Sequence, residues 1–229
     1  MTQPSAKHPA LIVLAKSPEP GRVKTRCSPP CSPAQAAGLA EASLRQTLRI
    51  VLEVPAKRRV VVLDGRPGPW LPADFEVIAQ RSGSLGERID AAFADVGGPA
   101  ILVGMDTPQM DADLLDGAMG RLASQSDVAL VGPADDGGFW AVGLGVAPPR
   151  LFAGVAMSRN DTHTSLLLAL AHHSIPCSPL PMLSDFDDFE TACTIAQTIP
   201  TSEFAEAVRQ IIADLQGTPK RMTDSHTKR

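Results

Sequence analysis

Short apolar runs recur along the chain at residues 11–14, 60–63, 77–79, 101–103, 128–131 and 139–142, and most of the stretches between them carry apolar residues at helical spacing. Runs this short, without polar alternation, suit strands covered on both faces. The pattern therefore predicts an α/β fold with a mainly parallel sheet between helices. The helix starts are marked as well. Ser32-Pro33-Ala34-Gln35 places a capping hydroxyl, a first-turn proline and a capping-box glutamine in order, after which Leu44, Leu48 and Leu52 line one face. Ser84-Leu85-Gly86-Glu87 is a second capping box, followed by Ile89, Ala92 and Phe93. Asp111 caps a third helix carrying Leu114, Leu115, Ala118 and Leu122. Ser202 precedes an amphipathic helix with Phe204, Val208, Ile211, Ile212 and Leu215, which packs on the core or, in the alternative, forms a homodimer interface. Pro67, Pro69 and Pro72 around Trp70 read as an extended surface loop.

Composition adds limits. The chain has 229 residues, 44% of them hydrophobic and 20% charged, which suits one globular domain over residues 9–217 with flexible polar ends at 1–8 and 218–229. The formal net charge of -4 leaves no electrostatic footprint for nucleic acid or a membrane surface, so any anion must be held locally. The apolar run at 10–15 is too short for a signal-peptide core, and no stretch reaches membrane-spanning length. Four cysteines in so long a chain do not build a disulfide framework, and a cytoplasmic location follows as the expectation. Cys27 and Cys31 lack a second close pair to complete a zinc site and read as incidental thiols.

In a parallel sheet, ligands bind outside the carboxyl ends of the strands, and the loops there are chemically unusual. After the first strand, residues 16–26 bring Lys16, Arg22, Lys24 and Arg26 together with Gly21 and Thr25, a plausible phosphate cradle but not a Walker A loop. After the fourth comes Gly104-Met105-Asp106-Thr107-Pro108, whose carboxylate is placed to hold Mg²⁺ or Mn²⁺. After the fifth, Asp135-Asp136-Gly137-Gly138 forms a tight acidic turn. Later, Asp185 and Asp187 alternate as on an extended strand and share a face, while Asp187 or Asp188 can cap the next helix. Ser158 and His163 lie close in sequence without a nucleophile elbow, so a Ser-His-Asp arrangement has no support.

These loops, taken together with Gly83-Ser84-Leu85-Gly86-Glu87-Arg88, resemble a bacterial GT-A-like family described as glycosyltransferase-like, or as radical-SAM/selenodomain-associated transferase 1. The layout is similar, more distantly, to 2-phospho-lactate guanylyltransferase and molybdenum-cofactor guanylyltransferase. The resemblance implies a Rossmann-like GT-A three-layer sandwich of the nucleotide-diphospho-sugar transferase superfamily. It implies that Lys16, Arg22, Lys24 and Arg26 face phosphates, and that the segment 81–86, with Arg81, Gly83, Leu85 and Gly86, borders the base and ribose. Asp106 with Asp185 or Asp187 would hold the metal, and Asp136, Ser158, Asp161 and Thr162 would lie toward the acceptor, beside Asp135, Gly137 and Gly138. The leading expectation is nucleotidyl transfer from a nucleoside triphosphate to a small-molecule acceptor, with Lys24, Asp106 and Asp136 in the chemistry. Glycosyl transfer from a nucleotide sugar, with Asp136 or Asp161 as base, is the alternative, and a non-catalytic nucleotide-binding protein is the third.

Overall fold

The computed structural model describes residues 8–217; the expected flexible ends, apart from His8, fall outside that range. In chain order the elements are β1 (Ala10–Lys16), α1 (Pro33–Glu53), β2 (Arg59–Asp64), β3 (Glu76–Ala79), α2 (Leu85–Val96), β4 (Ala100–Gly104), α3 (Ala112–Ser124), β5 (Ala129–Pro133), β6 (Phe139–Leu144), α4 (Thr162–His172), β7 (Cys177–Pro179), α5 (Phe189–Thr198) and α6 (Glu203–Gly217). A short 3-10 turn at Thr25–Cys27 follows the loop after β1.

The helix starts form as the sequence directs. Ser32 accepts from the Gln35 backbone while the Gln35 side chain returns to Ser32, and Ser84 and Glu87 repeat the arrangement at α2. Asp111 and Asp188 accept from Leu114 and Thr191 at the starts of α3 and α5. Each such cap is worth about 1 kcal/mol.

The strands form a seven-stranded sheet in the order β3-β2-β1-β4-β6-β5-β7. β1 pairs in parallel with β2 and β4, β2 with β3, and β5 with β7, whereas β6 runs antiparallel to both β4 and β5. The reversal has a local cause. Only residues 134–138 separate β5 from β6, too few for a parallel crossover, and Ala134 N donates to Gly138 O at 3.0 Å to close the turn.

Alternate strand residues face opposite layers. Leu11, Val13, Val61, Leu63, Ile101 and Val103 pack with α1 and α3, while Ile12, Val60, Val62, Leu102, Val131 and Val142 pack with α2 and α4. This is the three-layer GT-A-like sandwich.

One expectation needs revision. Trp70 does not ride on an exposed loop; it is 5% exposed and sits in the α1–α3 core, because burying a large indole outweighs the proline-rich loop's preference for solvent. α6 packs on the core as expected, against α1 and α5, with Phe204, Val208 and Ile211 joining Leu39, Ile195 and Phe186 in a third cluster. That part of its apolar face is filled from within the chain, while Leu215 stays 39% exposed.

Gly86 is a packing glycine. A Cβ there would lie 2.1 Å from the Phe152 carbonyl oxygen, whereas a Cβ at Gly120, on the open side of α3, would meet nothing within 4 Å. Gly86→Ala is expected to lose about 1–3 kcal/mol by overpacking, and Gly120→Ala to gain about 0.5–1 kcal/mol from helix propensity. Urea unfolding of the two variants checks this, and equal midpoints would remove the close-approach role of Gly86.

Candidate active site at the carboxyl ends of the strands

The parallel strands deliver their following loops to one edge. In the register, Lys16 stands opposite Asp64 at the ends of β1 and β2, and Leu14 stands opposite Gly104 at the end of β4. Because β6 is antiparallel, its first residue, Phe139, lies at this same edge beside Pro133 of β5.

The late acidic segment is brought to β4 by backbone stitching. Leu183 N donates to Pro133 O at 3.1 Å, Asp135 N to Leu183 O at 3.1 Å, and Phe186 N to Asp106 O at 3.1 Å. The Thr107 hydroxyl donates to the Asp185 carboxylate. Phe186, fully buried, packs on Phe204 at 4.9 Å between ring centroids, so the apolar residue of Asp185-Phe186-Asp187 anchors the two acids flanking it.

The result is a cleft of about 630 Å³. Lys16, Arg26, Leu85, Asp106, Asp136, Gly138, Ser158, Thr162, Asp185 and Asp187, all named from sequence, line it. Lys24 is absent from that lining. Its side chain, 8% exposed, is turned into the acidic group: Nζ lies 3.0 Å from Asp106 Oδ1 and 3.7 Å from Asp187 Oδ1, donates to Phe186 O, and stands 4.1 Å from the Phe186 ring centroid. The approach to Asp106 Oδ1 is misaligned for a hydrogen bond, leaving that buried oxygen without an aligned donor. Arg26 donates to Asp187 Oδ2 at 2.7 Å from the cleft side.

Other candidates have structural partners. Gly21, Arg22 and Thr25 are exposed and lie outside the cleft lining, with Arg22 on Glu19 at 2.9 Å. Arg81 pairs with Asp95, and neither it nor Gly83 and Gly86 line the cleft. Asp135 accepts from the Ser184 hydroxyl. Asp136 accepts from Gly138 N at 2.7 Å, shaping the turn in which Gly137 takes φ +89° and passes so close to Asn160 that a Cβ would meet its carbonyl at 2.0 Å. Asp161 is held below the usual carboxylate range by its hydrogen bond to Arg159, and Thr162 donates to Ala156 O and Arg159 O at 2.8 Å.

A further group, of which only Arg88 stood in a motif read from sequence, obeys the same strand-end rule. Asp64 ends β2 and Gln80 follows β3; Arg88 on α2 donates to Gln80 Oε1 at 3.0 Å and lies 3.8 Å from Asp64. The Gln80 carboxamide is fixed in turn by donation to Ala15 O and Val62 O, and Arg88 Nε is left buried without a partner beside the cleft. Asp64 and Gln80 each open the polar stretch after an apolar run, a signal weaker than a charged cluster.

The donor set suits a hard divalent cation in chemistry: carboxylate oxygens at the end of β4, one of them unmatched. Among the described residues, however, no three acidic, histidine or cysteine groups converge as a ready-made metal cage, and Lys24 lies among the acids instead. Cys27 and Cys31 are both buried, with burial pushing the Cys27 thiol up to about 11, so they behave as core thiols.

A family model described as uncharacterized protein conserved in bacteria (DUF2064) matches residues 39–159. No curated protein matches the chain. Among solved structures, a protein described as a nucleotide-diphospho-sugar transferase from Desulfovibrio desulfuricans G20 superposes with a TM-score of 0.80 at 24% identity, covering 90% of this chain and 96% of that one. A nucleotidyl transferase from Methanothermobacter thermautotroptrophicus gives 0.55 at 14% identity, covering 89% and 99%. Rv0371c from Mycobacterium tuberculosis H37Rv, in complex with manganese, gives 0.51 at 16%, covering 84% and 100%. At these identities the likeness establishes the fold. Among the described residues, no helix is long and apolar enough to cross a membrane.

Burial first, then the neighbouring Asp106 and Asp136 charges, push the Asp185 carboxyl up to about 7, against the lowering pull of Thr107 and Lys24. A carboxyl raised in the folded state gives stability that is complete below its unfolded pKa and lost as pH rises through the folded one, here between about 4 and 7. Asp185→Asn should therefore melt above the native protein at pH 8 in chelator, by on the order of a few kcal/mol, and approach it near pH 4. Thermal melts across that range test the sign; an advantage that grows toward acid contradicts it.

Proposed function

We propose that this chain, which belongs to the bacterial family DUF2064, is a metal-dependent transferase that moves a nucleotidyl group from a nucleoside triphosphate to a small phosphorylated or hydroxyl acceptor. The observation that carries the reading is the meeting, in one strand-end cleft, of carboxylates from two loops with Lys16 and Arg26. Oxygen ligands for a divalent ion beside cations for phosphate are what a bound polyphosphate needs. The likeness to a nucleotidyl transferase, and to a protein crystallised with manganese, supports the same reading.

In this proposal Asp106, with Asp185 or Asp187, holds Mg²⁺ or Mn²⁺, which when bound neutralises the charge that builds on the phosphates. Lys16 and Arg26 hold the outer phosphates. Gln80, Arg88 and Leu85 border the nucleoside end of the cleft, and Ser158, Asp136 and Gly138 face the acceptor. An acceptor oxygen attacks the α-phosphorus, the α–β bridging bond breaks, and pyrophosphate carries the electron pair away. Where the acceptor is a hydroxyl, Asp136 takes its proton. The Gly138 N–H bond at 2.7 Å keeps that carboxylate oriented.

Thermal-shift measurements with nucleoside triphosphates, monophosphates and nucleotide sugars, each with Mg²⁺ or Mn²⁺, test the donor class, since a ligand at a hundredfold excess over Kd stabilises by about 2.7 kcal/mol. Triphosphates with metal are expected to give the largest shift, with pyrophosphate release in the presence of acceptor. Sugar release from a nucleotide sugar, without pyrophosphate from any triphosphate, would establish glycosyl transfer instead. Asp106→Asn is expected to abolish the metal-dependent part of the shift while leaving the melting temperature in chelator close to native. Retention of that metal response would remove Asp106 from the site.

A further inference from the structure

The most deeply placed cation near the cleft does not face it. Lys24 extends from a backbone in the left-handed region, φ 47°, between the buried anchors Val23 and Cys27. Its ammonium is held by Asp106, Asp187, the Phe186 carbonyl and the Phe186 ring. Two of these are the oxygens proposed above as metal ligands. We infer that Lys24 is a built-in counter-cation of the metal site, which must leave before a divalent ion can be bound and whose release delivers its charge to the nucleotide's phosphates.

The inference rests on the proposed metal role of Asp106, and the argument is electrostatic. A divalent ion on Asp106 Oδ1 would stand within a few ångströms of the ammonium now 3.0 Å from that atom, and like charges at such spacing in a recessed pocket repel strongly. The carboxylates cannot neutralise both. With Val23 and Cys27 packed in the core, rotation of the Lys24 stem is enough to carry the ammonium outward, and the backbone can stay. Outward lies the cleft wall of Lys16 and Arg26, where the acceptor of choice for an ammonium is a phosphate oxygen. Arg26, now on Asp187 at 2.7 Å, is loosened by the same exchange.

Two consequences follow. Metal alone binds weakly because it must displace a well-paired lysine, and polyphosphate strengthens metal binding because it gives that lysine a new partner. Coupling of this kind is reciprocal between ligands. A lysine that merely shaped the pocket would show the opposite dependence, since its removal would loosen the acids and weaken the metal.

The test uses Mn²⁺ binding to the full chain, followed by electron paramagnetic resonance, with native protein, Lys24→Met and Asp106→Asn. Methionine keeps an unbranched stem without charge. Lys24→Met is expected to bind Mn²⁺ alone more tightly than native by about 5- to 150-fold, the range typical of such coupling, and to gain less from added nucleoside triphosphate. In parallel, acetic anhydride labelling of the native protein should leave Lys24 protected in chelator and reactive with Mn²⁺. Equal or weaker Mn²⁺ binding by Lys24→Met, with Asp106→Asn still losing the ion, overturns this inference and leaves the metal site standing. Ready labelling of Lys24 without metal overturns it as well, whether or not the methionine variant folds. Native-like Mn²⁺ binding by Asp106→Asn, or none by the native protein even with nucleoside triphosphate and none by Lys24→Met, overturns the metal reading and this inference together.

Discussion

Crowded negative charge is the constraint on which the strand-end cleft depends. Asp106, Asp185 and Asp187 are brought together because Phe186 hydrogen-bonds the Asp106 carbonyl and Thr107 hydrogen-bonds Asp185. Carboxylates gathered side by side, Asp185 among them largely buried, must protonate, find cations or separate. This chain does the first at Asp185, whose carboxyl burial raises to about 7, and the second with Lys24 and Arg26. Separation is prevented by the hydrogen bonds that fasten the late acidic segment to β4 and β5.

The scaffold behind those bonds explains the C-terminal helices. The Asp185-Phe186-Asp187 segment has no strand partner for its central residue; instead Phe186 inserts among α1, α5 and α6 and packs on Phe204. α6 lies away from the sheet, yet through Phe186 it positions two acids of the cleft. The antiparallel β6 is just as consequential. By reversing direction it brings the 134–138 turn back to the edge where β4 ends, so Asp136 and Gly138 share a cleft with Asp106.

Much of this was legible in the sequence wherever the signal was local. The capping hydroxyls of Ser32 and Ser84, the Asp111 cap and the apolar runs of the first six strands need only neighbours within a few residues, and they formed as written, except that β3, at the sheet edge, is mostly exposed and not covered on both faces. β7 was not, because Cys177–Pro179 is three residues long and owes its existence to pairing with β5. Trp70 misled because its proline-rich surroundings are a local signal, whereas its burial is a tertiary one. At the cleft, sequence placed Lys16, Arg26, Asp106, Asp136 and the late aspartates, each a charged residue in a conspicuous motif. It passed over Asp64 and Gln80, and although it named Arg88 within a motif it gave no sign of the association of the three, which joins distant parts of the chain. Nor could spacing tell that Lys24 turns inward while Arg26, two residues on, stays 74% exposed; that depends on the Phe186 carbonyl and ring, supplied from 162 residues away.

A net charge of -4 does not oppose the capture of a polyanion by such a site. Lys16, Arg26, Arg88 and Arg159 share the cleft wall with Asp64, Asp106, Asp136, Asp185 and Asp187, so the empty wall carries nearly balanced charge and no broad positive field. A field of that kind would attract every polyanion of the cell, nucleic acid included. Arg26 and Arg88 already lie against Asp187 and Asp64 of the same wall, so they give a phosphate less to hold while those carboxylates keep them. In the proposed reaction a divalent ion, the usual companion of nucleotide phosphates, would neutralise the acids instead. On that proposal, the same pairing that holds the acids without ligand would favour the combined charge pattern of metal and polyphosphate over either part alone.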